Sequence, residues 1–218
     1  MNIEGYIQLF GPLFESVQEA AIFPDAKIFV DATPKTDPQT ILEAYHHQRS
    51  LSDFNLKDFV TKHFTLPEEI KCENPKARNM RDYIGEMWGV LLKKMESPSP
   101  FSTLISLPKP HVVPGGRFRE CFYWDSYFTA LGLLHSGQIV VVKDMVENFA
   151  YLIDTFGFIP NGNRVYFTSR SQPPYFSFLL TLLYDGGEEG FALNYFPQLE
   201  QEYRYWMDHA LSVHPGIY

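Results

Sequence analysis

PGGRFRECFYWDSYF (residues 114–128) and NGNRVYFTSRSQPP (161–174) are two dense motifs on either side of a segment that reads as one helical hairpin. Each crowds glycine, arginine and aromatic rings, with a carboxylate or amides, into a short span beside a predicted helix end. Burying such a mixture is unfavourable unless every polar group finds a partner. A pocket for a polar, ring-shaped ligand puts the same groups to use. Between the motifs, Ser126–His135 and Ile139–Phe156 are periodic at helical spacing and are joined by Ser136-Gly137-Gln138. So short a turn forces the two helices antiparallel. The start of the first helix, Arg117–Asp125, and the end of the second, leading into Asn161, then lie at one end of the hairpin, matched to within about two turns. The next helix begins after Pro173-Pro174, with Arg170 and Gln172 just before it. Three loops are therefore expected on one rim.

Outward from this hairpin, most periodic stretches also read as helix. Leu9, Leu13, Phe14 and Val17 recur at three- to four-residue spacing within 9–20. Asp37-Pro38 is an N-cap followed by a first-turn proline for a helix over 39–47. Leu56, Phe59, Val60 and Phe64 mark a short helix, and 78–95 a longer one with Tyr83, Ile84, Met87, Trp88, Leu91 and Leu92 on one face. Residues 97–114 break down into prolines, which means loop or extended chain. Further helices are expected over 175–184 and 196–213. Only 27–31 and 164–168 look strand-like. The fold class is all-α, built from stacked helical hairpins, with an irregular N-terminal third wrapped on it.

Composition narrows the partners. A chain of 218 residues with 45% hydrophobic and 20% charged residues is globular. Its net charge of −8 and its lack of a basic run argue against nucleic acid or an anionic membrane as partner. No apolar run approaches the roughly 18 residues that span a bilayer. Cys72 and Cys121 read as free thiols in a reducing compartment. The N-terminal residues carry Glu4 where a signal peptide is positive. The expectation is a cytoplasmic location, or a periplasmic one if the true start lies elsewhere. The seven histidines show no metal-ligand spacing, so neither metal nor cofactor is expected.

Each candidate residue also has an ordinary structural reading. Pro114-Gly115-Gly116 is a turn that lets backbone approach a neighbour or ligand. Arg117 can donate paired hydrogen bonds to hydroxyls, or form a surface ion pair. Trp124 offers a flat apolar face to a pyranose ring, or packs in a core. Asp125 can accept from two adjacent hydroxyls, or cap the Ser126 helix. Asn161 and Gln172 carry amides suited to hydroxyls, although Asn161-Gly162 is also a common turn. Singly, each ordinary reading holds its own; gathered on one rim, the set suits a polyol.

At these motifs the chain resembles the trehalases of glycoside hydrolase family 37. PGGRFRECFYWDSYF matches that family's first signature, PGGRFxExYxWDxY, at every fixed position except Phe122, where the signature has tyrosine. PNGNRVYFTSRSQPP is similar to the family's second characteristic block. The run LFGPLFESVQEAAIFPDAKIFVDATPKTDP, followed by FTLP, resembles its N-terminal segment. The resemblance implies an (α/α)6 toroid, incomplete here, and inverting hydrolysis of α,α-trehalose to two glucoses. Carried over by position, it makes Arg117, Trp124, Asp125, Asn161, Arg170, Ser171 and Gln172 substrate-binding residues.

Inverting hydrolysis needs a carboxylic acid to protonate the leaving oxygen and a carboxylate base to activate water, roughly 6.5–9.5 Å apart. In the family these lie at Gly-Trp-Asp and near Gln-Trp-Asp motifs. Neither motif occurs in 1–218, so no catalytic residue is assigned. The chain is expected to be one domain, the N-terminal part of a catalytic domain. Residues 1–110 would supply the N-terminal segment and first helices, and 111–218 the sugar-binding motifs. Trehalose is the expected ligand, with the remaining C-terminal half as a candidate partner in trans. A non-catalytic trehalose-binding or regulatory fragment is the alternative. An incomplete toroid leaves apolar helix flanks facing water, so the polypeptide made alone is expected to be aggregation-prone or incompletely folded. A sharp cooperative melt of a soluble monomer would contradict this.

Overall fold

The computed structural model describes residues 3–68, 70, 79–94, 99 and 101–212. Their chain contacts divide into two compact units. The first comprises residues 1–68, 97–106 and 164–166; the second comprises 69–96, 107–163 and 167–218.

The first unit contains α1 (Ile3–Glu19), α2 (Lys27–Asp31), α3 (Pro38–Gln48) and α4 (Leu56–His63). α1 bends where Gly11 takes φ +33° ahead of Pro12. Asp37 caps α3 as expected, accepting from the Thr40 N–H at 3.0 Å, and Asn55 caps α4 at 3.1 Å. Residues 27–31 are a helix, not the strand their β-branched look suggests. The Asp25 carboxylate accepts the Lys27 amide at 3.0 Å, which starts a turn, and Lys27 pairs with Asp31 one turn on. Three apolar residues between two charged ones have no periodicity to separate helix from strand; here the i,i+4 ion pair decides. β1 (Thr33–Pro34) pairs antiparallel with β2 (Phe64–Thr65).

The core of this unit is aromatic. Phe29 is fully buried and its ring centroid lies 6.5 Å from Phe10, 6.2 Å from Phe14 and 5.1 Å from Phe64. Beside this core Asp31 is buried, and its carboxylate accepts from the Tyr166 hydroxyl at 2.6 Å and faces the Arg164 guanidinium at 3.6 Å. Arg164 also donates to Thr103 Oγ1 at 3.0 Å. Residues 165–167 therefore form a single 3-10 turn, which corrects the strand expected over 164–168.

The second unit contains α5 (Met80–Leu91), β3 (Leu92–Lys93), β4 (His111–Val112), α6 (Tyr123–His135), α7 (Ile139–Phe156), α8 (Phe176–Asp185), α9 (Glu189–Leu193) and α10 (Phe196–Ser212). β3 and β4 pair antiparallel. Residues 78, 95 and 213, the expected limits of two helices, lie outside the described residues. α7 has the expected bounds and is the central helix: Val142, Met145, Val146, Phe149, Leu152 and Ile153 are buried at three- to four-residue spacing. It ends at Gly157, whose φ of +83° makes the left-handed cap. Gly137, at φ +74°, closes the turn between α6 and α7. On α7, buried Asn148 accepts the Lys109 amide at 2.9 Å and donates back to the Lys109 carbonyl at 3.0 Å, fixing the chain that leads into the first motif. Along α8 and α10, an open groove of about 610 Å³ is lined by Phe178, Phe196, Leu199, Tyr203 and Trp206.

Phe29→Ala is expected to destabilise the first unit by about 3–5 kcal/mol, the usual cost of emptying a buried aromatic site. Urea unfolding monitored by hydrogen exchange within α1 and α4 checks this; a loss below 1 kcal/mol would mean the ring cluster is not the core.

Candidate functional site

An α-helix begins with backbone N–H groups that have no acceptor within the helix. At the start of α6 these acceptors come from the second motif. The Tyr123 amide donates to the Asn161 carbonyl at 3.3 Å, and the Trp124 amide to the Gln172 side-chain oxygen at 3.0 Å. Asn161 in turn donates its amide to the Arg170 carbonyl at 3.0 Å. The Cys121 amide, just before the helix, donates to buried Asn163 Oδ1 at 2.8 Å, and Phe122 and Gly162 form an antiparallel bridge. At Gly162 the approach is close: a Cβ would lie 3.2 Å from the Phe167 ring. The three loops meet, as the hairpin argument anticipates.

These tertiary caps move the helix start. α6 begins at Tyr123, three residues before the expected Ser126, and its N-cap residue, Phe122, offers no side-chain acceptor. Asp125 therefore does not cap the helix. It sits in the first turn, half-buried, and its carboxylate makes no hydrogen bond among the described residues. The positive end of the helix favours an anion at that position.

The other expected site residues line the same loops. Gly115 and Phe118 exchange backbone hydrogen bonds at 3.0 Å in both directions, with φ values of +98° at Gly115 and +60° at Gly116. This tight turn projects Arg117, whose guanidinium lies 5.5 Å from the Phe118 ring centroid. Trp124 is 40% exposed and is braced edge-on by Phe128 at 6.3 Å and Tyr175 at 6.1 Å. The indole is thus held by two rings while part of its surface stays exposed. The Arg170 guanidinium lies 5.9 Å from the Phe167 ring. Ser171 donates to the Gln172 carbonyl at 3.0 Å. Gln172 spends its oxygen on the cap, which leaves its NH2 for a ligand. The Asn161 side-chain amide has no partner among the described residues. The rim thus offers guanidinium and amide donors, one free carboxylate and one aromatic face.

Behind the rim lies a hub that sequence reading misses. Tyr123 is fully buried; its hydroxyl accepts the Tyr175 amide at 2.8 Å and the Phe176 amide at 2.7 Å, and donates to Glu202 of α10. Glu202 is also buried. No local signal marks it: one glutamate in the charged run of a helix has the look of a solvated face. Among the described residues no three histidine, cysteine or acidic side chains gather as a metal site, and no helix is long and apolar enough to cross a membrane.

A model of the trehalase family matches residues 21–216, and the chain belongs to that family. Periplasmic trehalases of Escherichia coli O6:H1 strain CFT073 and O139:H28 strain E24377A are 49% identical over 209 residues, covering 95% of this chain. The chain spans about 37% of the length of these curated relatives. Among solved structures, the neutral trehalase of Saccharomyces cerevisiae is 36% identical with a TM-score of 0.41, over 44% of this chain and 18% of that one. The relatives' names correct the cytoplasmic expectation, since they are periplasmic enzymes. Free thiols do not decide the compartment: Cys72 lies outside the described residues, and Cys121 is fully buried, where burial pushes its thiol up to about 12. A thiol so shielded says little about the compartment's redox state.

Two buried groups in this unit titrate with opposite effect. Burial raises the Glu202 carboxyl from 4.5 to about 7, against the hydrogen bond from Tyr123. Burial lowers the His111 imidazole from 6.5 to about 4. From pH 4.5 to 7 folded Glu202 keeps a proton that the unfolded chain releases, so its contribution to stability falls as pH rises. From pH 4 to 6.5 unfolded His111 takes up a proton that the folded ring refuses, so its contribution rises with pH. Each effect is worth roughly 3 kcal/mol at full extent. Melting curves are expected to show Glu202→Gln gaining stability from pH 4.5 to 6.5, with wild type nearly flat between the two opposed slopes. Parallel profiles for the two proteins would remove Glu202 as a titrating group.

Proposed function

We propose that residues 114–172 form one wall of the sugar site of an α,α-trehalase that hydrolyses trehalose to two glucoses with inversion. The observation that supports this reading is the joining of the two motifs at the start of α6, where the Asn161 carbonyl and the Gln172 side chain accept the Tyr123 and Trp124 amides. Trp124 presents its exposed face to a pyranose ring, and Asp125 accepts hydrogen bonds from adjacent hydroxyls. Arg117 and Arg170 donate from guanidiniums set over aromatic rings, and the Asn161 and Gln172 amides and the Ser171 hydroxyl complete the polar set. These groups hold the sugar. The carboxylic acid that protonates the leaving oxygen and the base that activates water belong to sequence outside 1–218, where the relatives' additional length lies.

In this reading residues 1–218 are part of a single (α/α)6 toroidal domain, with the motifs in 111–218 preceded by the N-terminal segment and first helices. The α8–α10 groove suits such an arrangement, because apolar helix flanks are left for further helices to cover. The periplasm of the relatives is proposed as the compartment.

A trehalose titration of the chain, followed by tryptophan fluorescence, tests the wall. A saturable change is expected, weakened at least tenfold, about 1.4 kcal/mol, by Asp125→Ala and by Arg117→Ala. Glucose release is expected to stay at background. No response at high trehalose would sink the sugar wall. Glucose release abolished by Asp125→Ala would make Asp125 a catalytic group and overturn the division of labour.

A further inference from the structure

Tyr123 stands one residue before the aromatic face of the rim and points the other way, into the core. Its backbone amide is bound to the Asn161 carbonyl, so it joins the first motif to the second. Its hydroxyl is the acceptor for two successive amides, Tyr175 and Phe176, which are the N-cap and first residue of α8. α8 has no side-chain cap of its own. The Tyr123 hydroxyl therefore does for α8 what Gln172 does for α6. Gln172 lies only three residues before Tyr175, so the hydroxyl that fixes the start of α8 also limits where Gln172 can sit. The tyrosine proton, in turn, is taken by Glu202, which draws α10 into the same arrangement and orients the hydroxyl lone pairs toward the α8 amides.

We propose that Tyr123, oriented by Glu202, is a positioning residue of the sugar wall: it holds the start of α8 so that Gln172 stays bound to the Trp124 amide with its NH2 free for a hydroxyl. The relevance to sugar rests on the trehalose-binding reading above; the positioning does not. A phenylalanine at 123 would keep the ring packed at 5.4 Å from Phe149 and remove only the hydroxyl. Two α8 amides would lose their acceptor, and Glu202 its donor.

Amide hydrogen exchange resolved to single residues, on the 218-residue chain with and without trehalose, tests this. The decisive amide is Trp124, whose own acceptor, Gln172, is untouched by the substitution. In Tyr123→Phe the Trp124 amide is expected to exchange at least tenfold faster, while the amides of Phe149 and Leu152 in α7 stay within about twofold of wild type. Glu202→Gln, which keeps a side-chain oxygen for the tyrosine proton, is expected to retain Trp124 protection, and Glu202→Ala to lose it. Unchanged Trp124 exchange in Tyr123→Phe overturns the proposal. Uniform acceleration across α7 and Trp124 also overturns it, because Tyr123 would then be a general stabiliser. Where wild type binds trehalose, Tyr123→Phe should weaken binding about tenfold, and unchanged affinity counts against positioning. Absence of binding by wild type sinks the sugar reading alone, since Trp124 exchange still decides the positioning.

Discussion

The first-turn amides of α6 need acceptors, and no residue of that helix can supply them. Phe122, the residue at the cap, has no polar side chain. The need is met from almost fifty residues away by the Gln172 side chain and from the near end of the second motif by the Asn161 carbonyl. Tyr123 is buried, and leaving its amide unsatisfied would cost about 1–3 kcal/mol, so the two motifs are held together by a backbone requirement before any ligand arrives. The exposed side chains of the rim then take their places around a frame that is already closed.

The same economy recurs one helix later. α8 also begins without a side-chain cap, and the Tyr123 hydroxyl serves its first amides. α6 is thus started by Gln172 from the loop before α8, and α8 by Tyr123, the first residue of α6. The density of the motifs follows: the Tyr123 hydroxyl, the Asn161 backbone and the Gln172 side-chain oxygen are occupied with structure, while Arg117, Trp124, Asp125 and Arg170 are exposed or half-buried. The capping of α8 also gives an acceptor-bearing hydroxyl at 123 a reason that Phe122, packed edge-on between Phe118 and Phe167, does not share.

Much of this was legible in residues alone. The spacing of Val142, Met145, Val146, Phe149, Leu152 and Ile153 marks α7, and Asp37-Pro38 marks α3, because periodicity and local capping are chemistry between near neighbours. The three-residue loop 136–138 sufficed to bring the motifs to one end. The failures share a cause. Residues 27–31 and 164–168 were too short to show a period, and their conformations are set by Asp25 and by the ion pair to Asp31. Asp125 had the sequence of a cap and lost that role to a glutamine in another loop. Glu202 carried no mark at all.

What the sequence determined by itself is therefore the helical character of the chain, the hairpin that unites its motifs, and membership of the trehalase family through a long, specific signature. These follow from contacts between residues a few positions apart and from motif identity. Only the tertiary structure decided where α6 begins, that Asp125 is left free of any capping bond, and that a buried tyrosine–glutamate pair stands behind the rim. Each of those depends on which distant group satisfies a backbone amide or a buried hydroxyl. Such choices are made by packing, and local sequence carries no record of them.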